Sequence, residues 1–493
     1  MTDVCFETAR GMAAALRRKE ISARELVGAH LDRIASCNGA VNAVVTLVAE
    51  KALAEAAAAD ERLVAGEPVG PLHGIPIAHK DTHATAGIRT TKGSPIHADE
   101  VPASDELVIE RIRAAGAITL GKTNVPEFAA GSHTVNPLFG ATRNPYDLGR
   151  SAGGSSGGAA AALATGMHPL ADGSDMGGSL RNPASFCNVV GLRPAPGRVP
   201  SYPAELAYST LAVQGPMART VSDVALLLSV MAGPDPRSPI AIEQSGSVFD
   251  VPLGRDLAGL RVAWSPDLGG TIPVDAAVTA ALEPQVRVLE ELGATVERAD
   301  PDLRGADEVF RTLRAWTFAV SMGPLLARHR DRMKATLVGN IEEGRRLTGA
   351  DVARAEILHS ALFQRMRRFS ERYDLLALPV SQVPPFPVEL EYPTEIAGVA
   401  QGSYLDWMRS AYLISAFGHP AISVPAGFTP DGLPVGLQLV GAHRGEAALL
   451  HAAHAFERAT RVGERRPPSV ASRASPPAPV RGAGGGESRV SSP

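Results

Sequence analysis

Three short stretches of this chain carry residue types able to make and break acyl bonds. The densest is Gly153-Gly154-Ser155-Ser156-Gly157-Gly158. Glycines on both sides of a serine pair open backbone conformations that a Cβ forbids, and they let a substrate approach the chain closely. Alone, such a loop is as readily a flexible connector. The second stretch is Asp175-Met176-Gly177-Gly178-Ser179-Leu180-Arg181. Successive free N–H groups in a turn of this kind form an anion nest, which is what a tetrahedral oxyanion requires. Alone, it reads as an ordinary glycine turn. The third, Gly74-Ile75-Pro76-Ile77-Ala78-His79-Lys80-Asp81, sets a lysine at the inner end of an apolar run. Lysines are rarely buried, and desolvation disfavours the ammonium form, which turns a lysine into a base. The plainer reading pairs Lys80 with Asp81 at a strand end.

The flanking pattern supplies elements to hold these stretches. Gly74 to Ala78 reads as a strand leading into Lys80. Arg150 to Gly158 reads as a loop that enters a helix of small residues, Ala159 to Ala164. A second loop spans Asp172 to Ser179, and one helix and a short strand between the loops would return both to one sheet edge. Earlier, residues 5–60 read as helices, with Ser22 and Glu25 in a capping box. Glu106 to Ala115 reads as a helix and Ala117 to Leu120 as a strand. Later, Leu260 to Trp264, Ala294 to Val296 and Asp374 to Pro379 are strand-like. Val274 to Leu292 is an amphipathic helix that Pro284 is expected to kink or split. Alternating strands and helices predict an α/β protein: one large α/β/α domain with a mixed, mainly parallel central sheet covered by helices.

Together the three stretches resemble the amidase-signature family. The likeness also includes Gly121 to Phe128, Phe139 to Pro145, Pro183 to Cys187, Val190 to Pro194, Pro420 to Pro425 and Gly432 to Gln438. It is strong over about 71–220 and 413–441 within a catalytic domain at 1–466, followed by a Pro/Gly/Ser/Arg-rich tail at 467–493 expected to be disordered. The resemblance implies a serine amidase. By motif position Ser179 is the nucleophile, Ser155 the bridging serine in a non-proline cis peptide, and Lys80 the base. It further implies an oxyanion hole from the backbone N–H groups of Met176, Gly177, Gly178 and Ser179, and no metal or organic cofactor. Ala129 and Gly131 match acyl-pocket positions, and their small size suggests room for a bulky acyl group. Two positions depart from the family: threonine or isoleucine is usual at Met176, and a small apolar residue at His79.

The expected reaction is cleavage of acyl C–N bonds in small hydrophobic or aryl amides. Carbamate (urethane) and ester cleavage use the same triad and stay open. So does a second reading, the glutaminase subunit of a tRNA-dependent amidotransferase, although that branch usually has threonine at Met176. Retention of Lys80, Ser155 and Ser179 together speaks against a non-catalytic binding protein.

Several decoys lose on context. Gly116 to Thr123 fits the P-loop pattern letter for letter, yet a helix precedes it and its apolar strand falls inside the would-be loop. The spacing of Gly153, Ser155 and Gly157 also fits a nucleophile elbow, but the polar, turn-like run from Asn144 to Arg150 precedes it. His79 and His83 have metal-ligand spacing for a helix, but a strand pattern runs into them and no third ligand is near.

Bulk properties agree with a large globular enzyme. The 493 residues are 45 % hydrophobic and 20 % charged, with a formal net charge of −4. That balance gives no nucleic-acid groove, and the arginines from Arg365 to Arg372 read as a solvated helix face. Cys5, Cys37 and Cys187 are too few for a disulfide framework, and no signal peptide or membrane-length apolar run is evident. The expectation is a cytoplasmic enzyme with a small-molecule amide or carbamate substrate, no nucleic-acid or membrane partner, and a homodimer left open.

Overall fold

The computed structural model describes residues 3–468. The tail read at 467–493 therefore lies, beyond its first two residues, outside the described residues. One sheet of 11 strands organises the chain. In chain order these are β1 (Val44–Leu47), β2 (Pro76–Lys80), β3 (Ile118–Thr123), β4 (Leu170–Asp175), β5 (Val190–Arg193) and β6 (Val213–Ala218). There follow β7 (Arg261–Trp264), β8 (Thr295–Arg298), β9 (Leu375–Pro379), β10 (Ala421–Phe428) and β11 (Pro434–Val440). Their order across the sheet is β1-β3-β2-β4-β6-β5-β10-β11-β9-β7-β8.

The sheet is mixed, as expected. Parallel ladders join β3, β2 and β4 on one flank and β9, β7 and β8 on the other. The ladders that link these flanks through β6, β5, β10 and β11 are antiparallel. The parallel character expected from the alternating pattern is thus carried by the flanks. The strands that bear the site, β2 and β4, are buried along almost their whole length, which suits parallel strands covered on both faces.

Small residues set how closely the helices approach. The helix Gly157–Ala164 is buried at every position. A Cβ on its Gly158 would stand 2.3 Å from the Asn124 backbone nitrogen, so only glycine lets the helix start lie against that chain. The helix Ala276–Glu291 runs unbroken through Pro284. The helix is not split there, and its buried stripe of Val278, Leu282 and Leu289 faces the sheet on both sides of the proline. The capping box at Ser22 and Glu25 is present. Arg367 and Arg368 lie on the exposed side of the helix Gly349–Phe369, as the solvated face predicts.

Three readings need correction. β1 lies inside the N-terminal run read as helices. The second loop begins later than expected, because β4 continues to Asp175 and pairs with β6 along that whole length. The middle of the chain, where only strands and the helix Val274 to Leu292 are read from sequence, also contains three long helices, Ala306–His329, Ala335–Arg346 and Gly349–Phe369.

Candidate active site

β2 delivers Lys80 into the interior at its C-terminal end. The side chain is fully buried. Its Nζ lies 2.8 Å from Ser155 Oγ, 3.0 Å from Ser174 Oγ and 3.4 Å from the Ser174 carbonyl oxygen. A neutral amine satisfies all three: two N–H groups donate to Ser174, and the lone pair accepts the Ser155 O–H. Burial pulls Lys80 down to about 7, against the opposing pull of Asp175 and Asp172. Asp81 is not its partner. That carboxylate accepts from the Thr91 N–H at 3.1 Å and from the Thr91 hydroxyl.

The glycine–serine loop that carries Ser155 is held from several sides. The Gly154–Ser155 peptide is cis. Thr134 Oγ1 donates to the Gly153 carbonyl at 2.8 Å and accepts from Gly157 N–H at 3.1 Å. Ser151 Oγ accepts from Gly153 N–H at 3.0 Å and lies 2.7 Å from His133 Nδ1. Burial pushes His133 down to about 4, so the neutral ring accepts the Ser151 hydroxyl proton while Nε2–H donates to the Val388 carbonyl at 2.9 Å. The two serine loops meet where Ser156 N–H donates to the Ser179 carbonyl at 3.2 Å. Ser179 itself is half-buried at the start of the helix Arg181–Phe186.

Asp175 shapes the turn between them. Its carboxylate accepts Gly178 N–H at 2.8 Å and Leu180 N–H at 3.1 Å. Arg181 pairs with it at 2.9 Å and Arg193 at 3.3 Å, all three fully buried. Burial alone would raise the Asp175 carboxyl; the two guanidiniums outweigh it and hold it well below the usual range. Of the N–H groups expected to form an oxyanion hole, that of Gly178 already has the Asp175 carboxylate as acceptor. Among the described residues, the N–H groups of Met176, Gly177 and Ser179 have no acceptor.

Ala129 and Gly131 lie on the segment that leads from β3 toward the Ser155 loop. Phe128 and Ala129 both take left-handed backbone, with φ of 50° and 56°. That conformation is costly for residues with a Cβ and is found where surroundings enforce it. Gly131 has φ 124°, and a Cβ there would stand 3.6 Å from Lys334 Nζ and 3.8 Å from the Tyr404 ring. Ala130 between them is buried in an apolar cluster with Phe318, Leu337 and Ile341. Met176 and Phe128 pack on the same cluster.

The decoys resolve to structure. Gly121, Lys122 and Thr123 are part of β3, and Lys122 Nζ donates to the His83 carbonyl and to Thr85 Oγ1 at 2.5 and 2.6 Å. The GxSxG run is preceded by a short hairpin strand outside the main sheet, Asp147–Ser151. His79 meets Asp172 and Thr119, and no metal-holding group of His, Cys, Asp or Glu occurs among the described residues. Cys187 is a buried core residue. Among the described residues no helix is long and apolar enough to cross a membrane.

Sequence reasoning missed Ser174 and Asp172 as site residues. Both lie in the run read as loop. Recognising Leu170 to Asp175 as a strand beside β2 would have placed them next to Lys80.

Comparison with known proteins gives the family. The Amidase family model matches residues 25–450. The chain belongs to the amidase family. It is an amide-hydrolysing enzyme of the amidase-signature kind. This amidase is 38 % identical over 463 residues to an acylamidase of Rhodococcus erythropolis, covering 93 % of its own length and 97 % of the relative. It is 38 % identical over 495 residues to a glutamyl-tRNA(Gln) amidotransferase subunit of Moorella thermoacetica, covering 94 % and 99 %. The crystal structure of a bacterial aryl acylamidase of the amidase-signature family superposes with a TM-score of 0.89 at 30 % identity, over 95 % of this chain and 99 % of that one.

Proposed function

We propose that this amidase hydrolyses small hydrophobic or aryl amides through an acyl-enzyme on Ser179. The observation that carries the reading is the buried 2.8 Å approach of Lys80 Nζ to Ser155 Oγ, in a loop tied by hydrogen bond to Ser179. Neutral Lys80 takes the Ser155 proton as Ser155 takes that of Ser179. The Ser179 oxygen attacks the acyl carbon. The N–H groups of Met176, Gly177 and Ser179 receive the oxyanion. The relay then returns the proton to the departing amine, and water attacks the acyl-enzyme by the same route to release the acid. No cofactor has a part in these steps.

The apolar setting of Met176, beside Phe128 and the cluster of Phe318, Leu337 and Ile341, supports a hydrophobic substrate. The acylamidase relative points the same way. Esters and carbamates present the same acyl carbon with a different leaving group, so urethane cleavage belongs to the reading as a variant. A second reading is a glutaminase subunit of an amidotransferase, favoured by the full-length match to a protein of that kind. The apolar packing of Met176 weighs against it, because glutamine carries a charged α-amino and α-carboxylate end that apolar surroundings would desolvate. Three buried cysteines, none in a disulfide, support a reducing, cytoplasmic setting.

The test is hydrolysis of a matched panel of aryl amides, esters, carbamates and glutamine. The reading expects aryl amides among the best substrates by kcat/KM, and Ser179→Ala to abolish every activity. Preference for glutamine, or co-purification with a partner protein that glutaminase activity needs, replaces it with the second reading.

A further inference from the structure

Behind Lys80 lies a buried couple that the relay does not use. Asp172 and His79 are both fully buried. Asp172 accepts the Lys80 backbone N–H at 3.0 Å through one carboxylate oxygen, and the other accepts from His79 Nδ1. His79 Nε2 lies 3.1 Å from Thr119 Oγ1, which also accepts from Arg113 Nε at 3.4 Å. Arg113 pairs with Asp105 at 2.8 Å nearer the surface. We propose that Asp172, fixed by His79, is a positioning residue that sets the protonation of Lys80. The proposal rests on the reading of Lys80 as the base.

The argument is one of uncompensated charge. Lys80 feels two carboxylates, Asp175 and Asp172, both on β4. Asp175 is matched by the guanidiniums of Arg181 and Arg193. Asp172 has imidazoles as its nearest partners: His79, and His83 from the loop after β2 at 3.8 Å. Burial pushes His79 below its usual range, so it donates Nδ1–H as a neutral ring. Burial alone would also raise the Asp172 carboxyl; the electrostatic pull and hydrogen bond of the His79 ring, the pull of His83 and the bond from Lys80 N–H outweigh that and keep it ionised. A neutral donor thus fixes the carboxylate without cancelling its charge.

Other charged groups stand around the couple. Lys122 on β3 faces Asp172 but is shared with Asp81 and with Glu106, the residue before the helix Leu107–Ala114. Arg113 on that helix and His168 just before β4 face His79. The His168 ring is buried and pushed down to about 4, so it adds no charge near neutral pH. Asp172 is left as the carboxylate beside the Lys80 backbone with no guanidinium of its own. Its field opposes the desolvation of the ammonium.

The test is the pH dependence of kcat/KM for the full chain on an aryl amide. Asp172→Asn is expected to move the acid limb down by about one pH unit, because it removes an opposite charge near the base. The plateau should fall with it, since a weaker base transfers protons less well. His79→Ala should shift the limb in the same direction, because a buried Asp172 short of that donor takes up a proton and loses its field on Lys80. His79→Asn, which keeps a neutral N–H near the Nδ1 position, should restore the wild-type midpoint. A uniform loss at every pH with an unmoved midpoint in Asp172→Asn overturns the proposal. If Asp172→Asn fails to fold, as melting would show, the two His79 variants give the test. Residual activity of Lys80→Ala separates the layers. If it keeps the same acid limb, the limb belongs to another group and the base reading fails. If it loses the limb while Asp172→Asn and His79→Ala leave the midpoint in place, only the positioning role fails.

Discussion

Lys80 Nζ stands 2.8 Å from Ser155 Oγ, with the lysine 0 % and the serine 1 % exposed to solvent. A lysine in that position is held away from the water that would keep it protonated. The same burial that makes it costly makes it a base near neutral pH.

The pH profile follows from that burial. Lys80 is pulled down to about 7, so its neutral fraction rises as pH climbs through that value. The rate of acylation by this amidase is expected to increase about tenfold per pH unit below pH 7 and to flatten above it. Stopped-flow acylation across pH checks this, and a rate that falls over the same range rejects a neutral lysine base.

Stability also rises with pH, over a higher range than activity does. The folded state binds the Lys80 proton less tightly than the unfolded chain, whose lysine titrates near its ordinary value of 10.5. Between about pH 7 and 10.5 the unfolded state holds more protons, so stability rises with pH, and below pH 7 the full penalty applies. Lys80→Met should therefore be inactive and yet more stable at pH 7, by about 2–5 kcal/mol. The gap should narrow as pH rises toward 10, as measured by denaturant unfolding.

Asp175 links the turn to the core. Asp175→Asn leaves Arg181 and Arg193 buried without their carboxylate, which costs about 3–5 kcal/mol. The Gly178 and Leu180 N–H groups lose their charged acceptor, so the oxyanion turn loosens. Activity should fall by about 100-fold or more, the scale of a lost oxyanion donor. Thermal melting and kcat on one variant read both effects.

Close packing at Gly158 is a separate test of the scaffold. In Gly158→Ala the new Cβ would meet the Asn124 nitrogen at 2.3 Å, backbone that cannot simply swing aside. The expected loss is about 1–3 kcal/mol, and Gly39→Ala, where nothing stands within 4 Å, should not share it.

Much of this was readable from residue order. Glycine and serine spacing marked both loops, and the apolar run before Lys80 marked a buried strand. The family follows from many motifs in fixed order, and the family model spans 25–450. What was not readable depends on partners distant in sequence. Asp172 and Ser174 look like loop residues among glycines, because glycine and serine have weak strand preference; pairing with β6 overrides it. Nothing local in the sequence shows that the Asp175 side chain folds back onto the Gly178 N–H. The helices from 306 to 369 mix charged and apolar residues with little contrast, and packing against one another decides their place.

The most direct measurement of the central claim is intact-mass analysis of the enzyme quenched during turnover of an activated aryl ester, followed by peptide mapping. The account predicts one added acyl group, located on Ser179, formed faster as pH rises through 7 and absent in Ser179→Ala. An acyl group mapped to Ser155, or unimpaired turnover by Ser179→Ala, would contradict it.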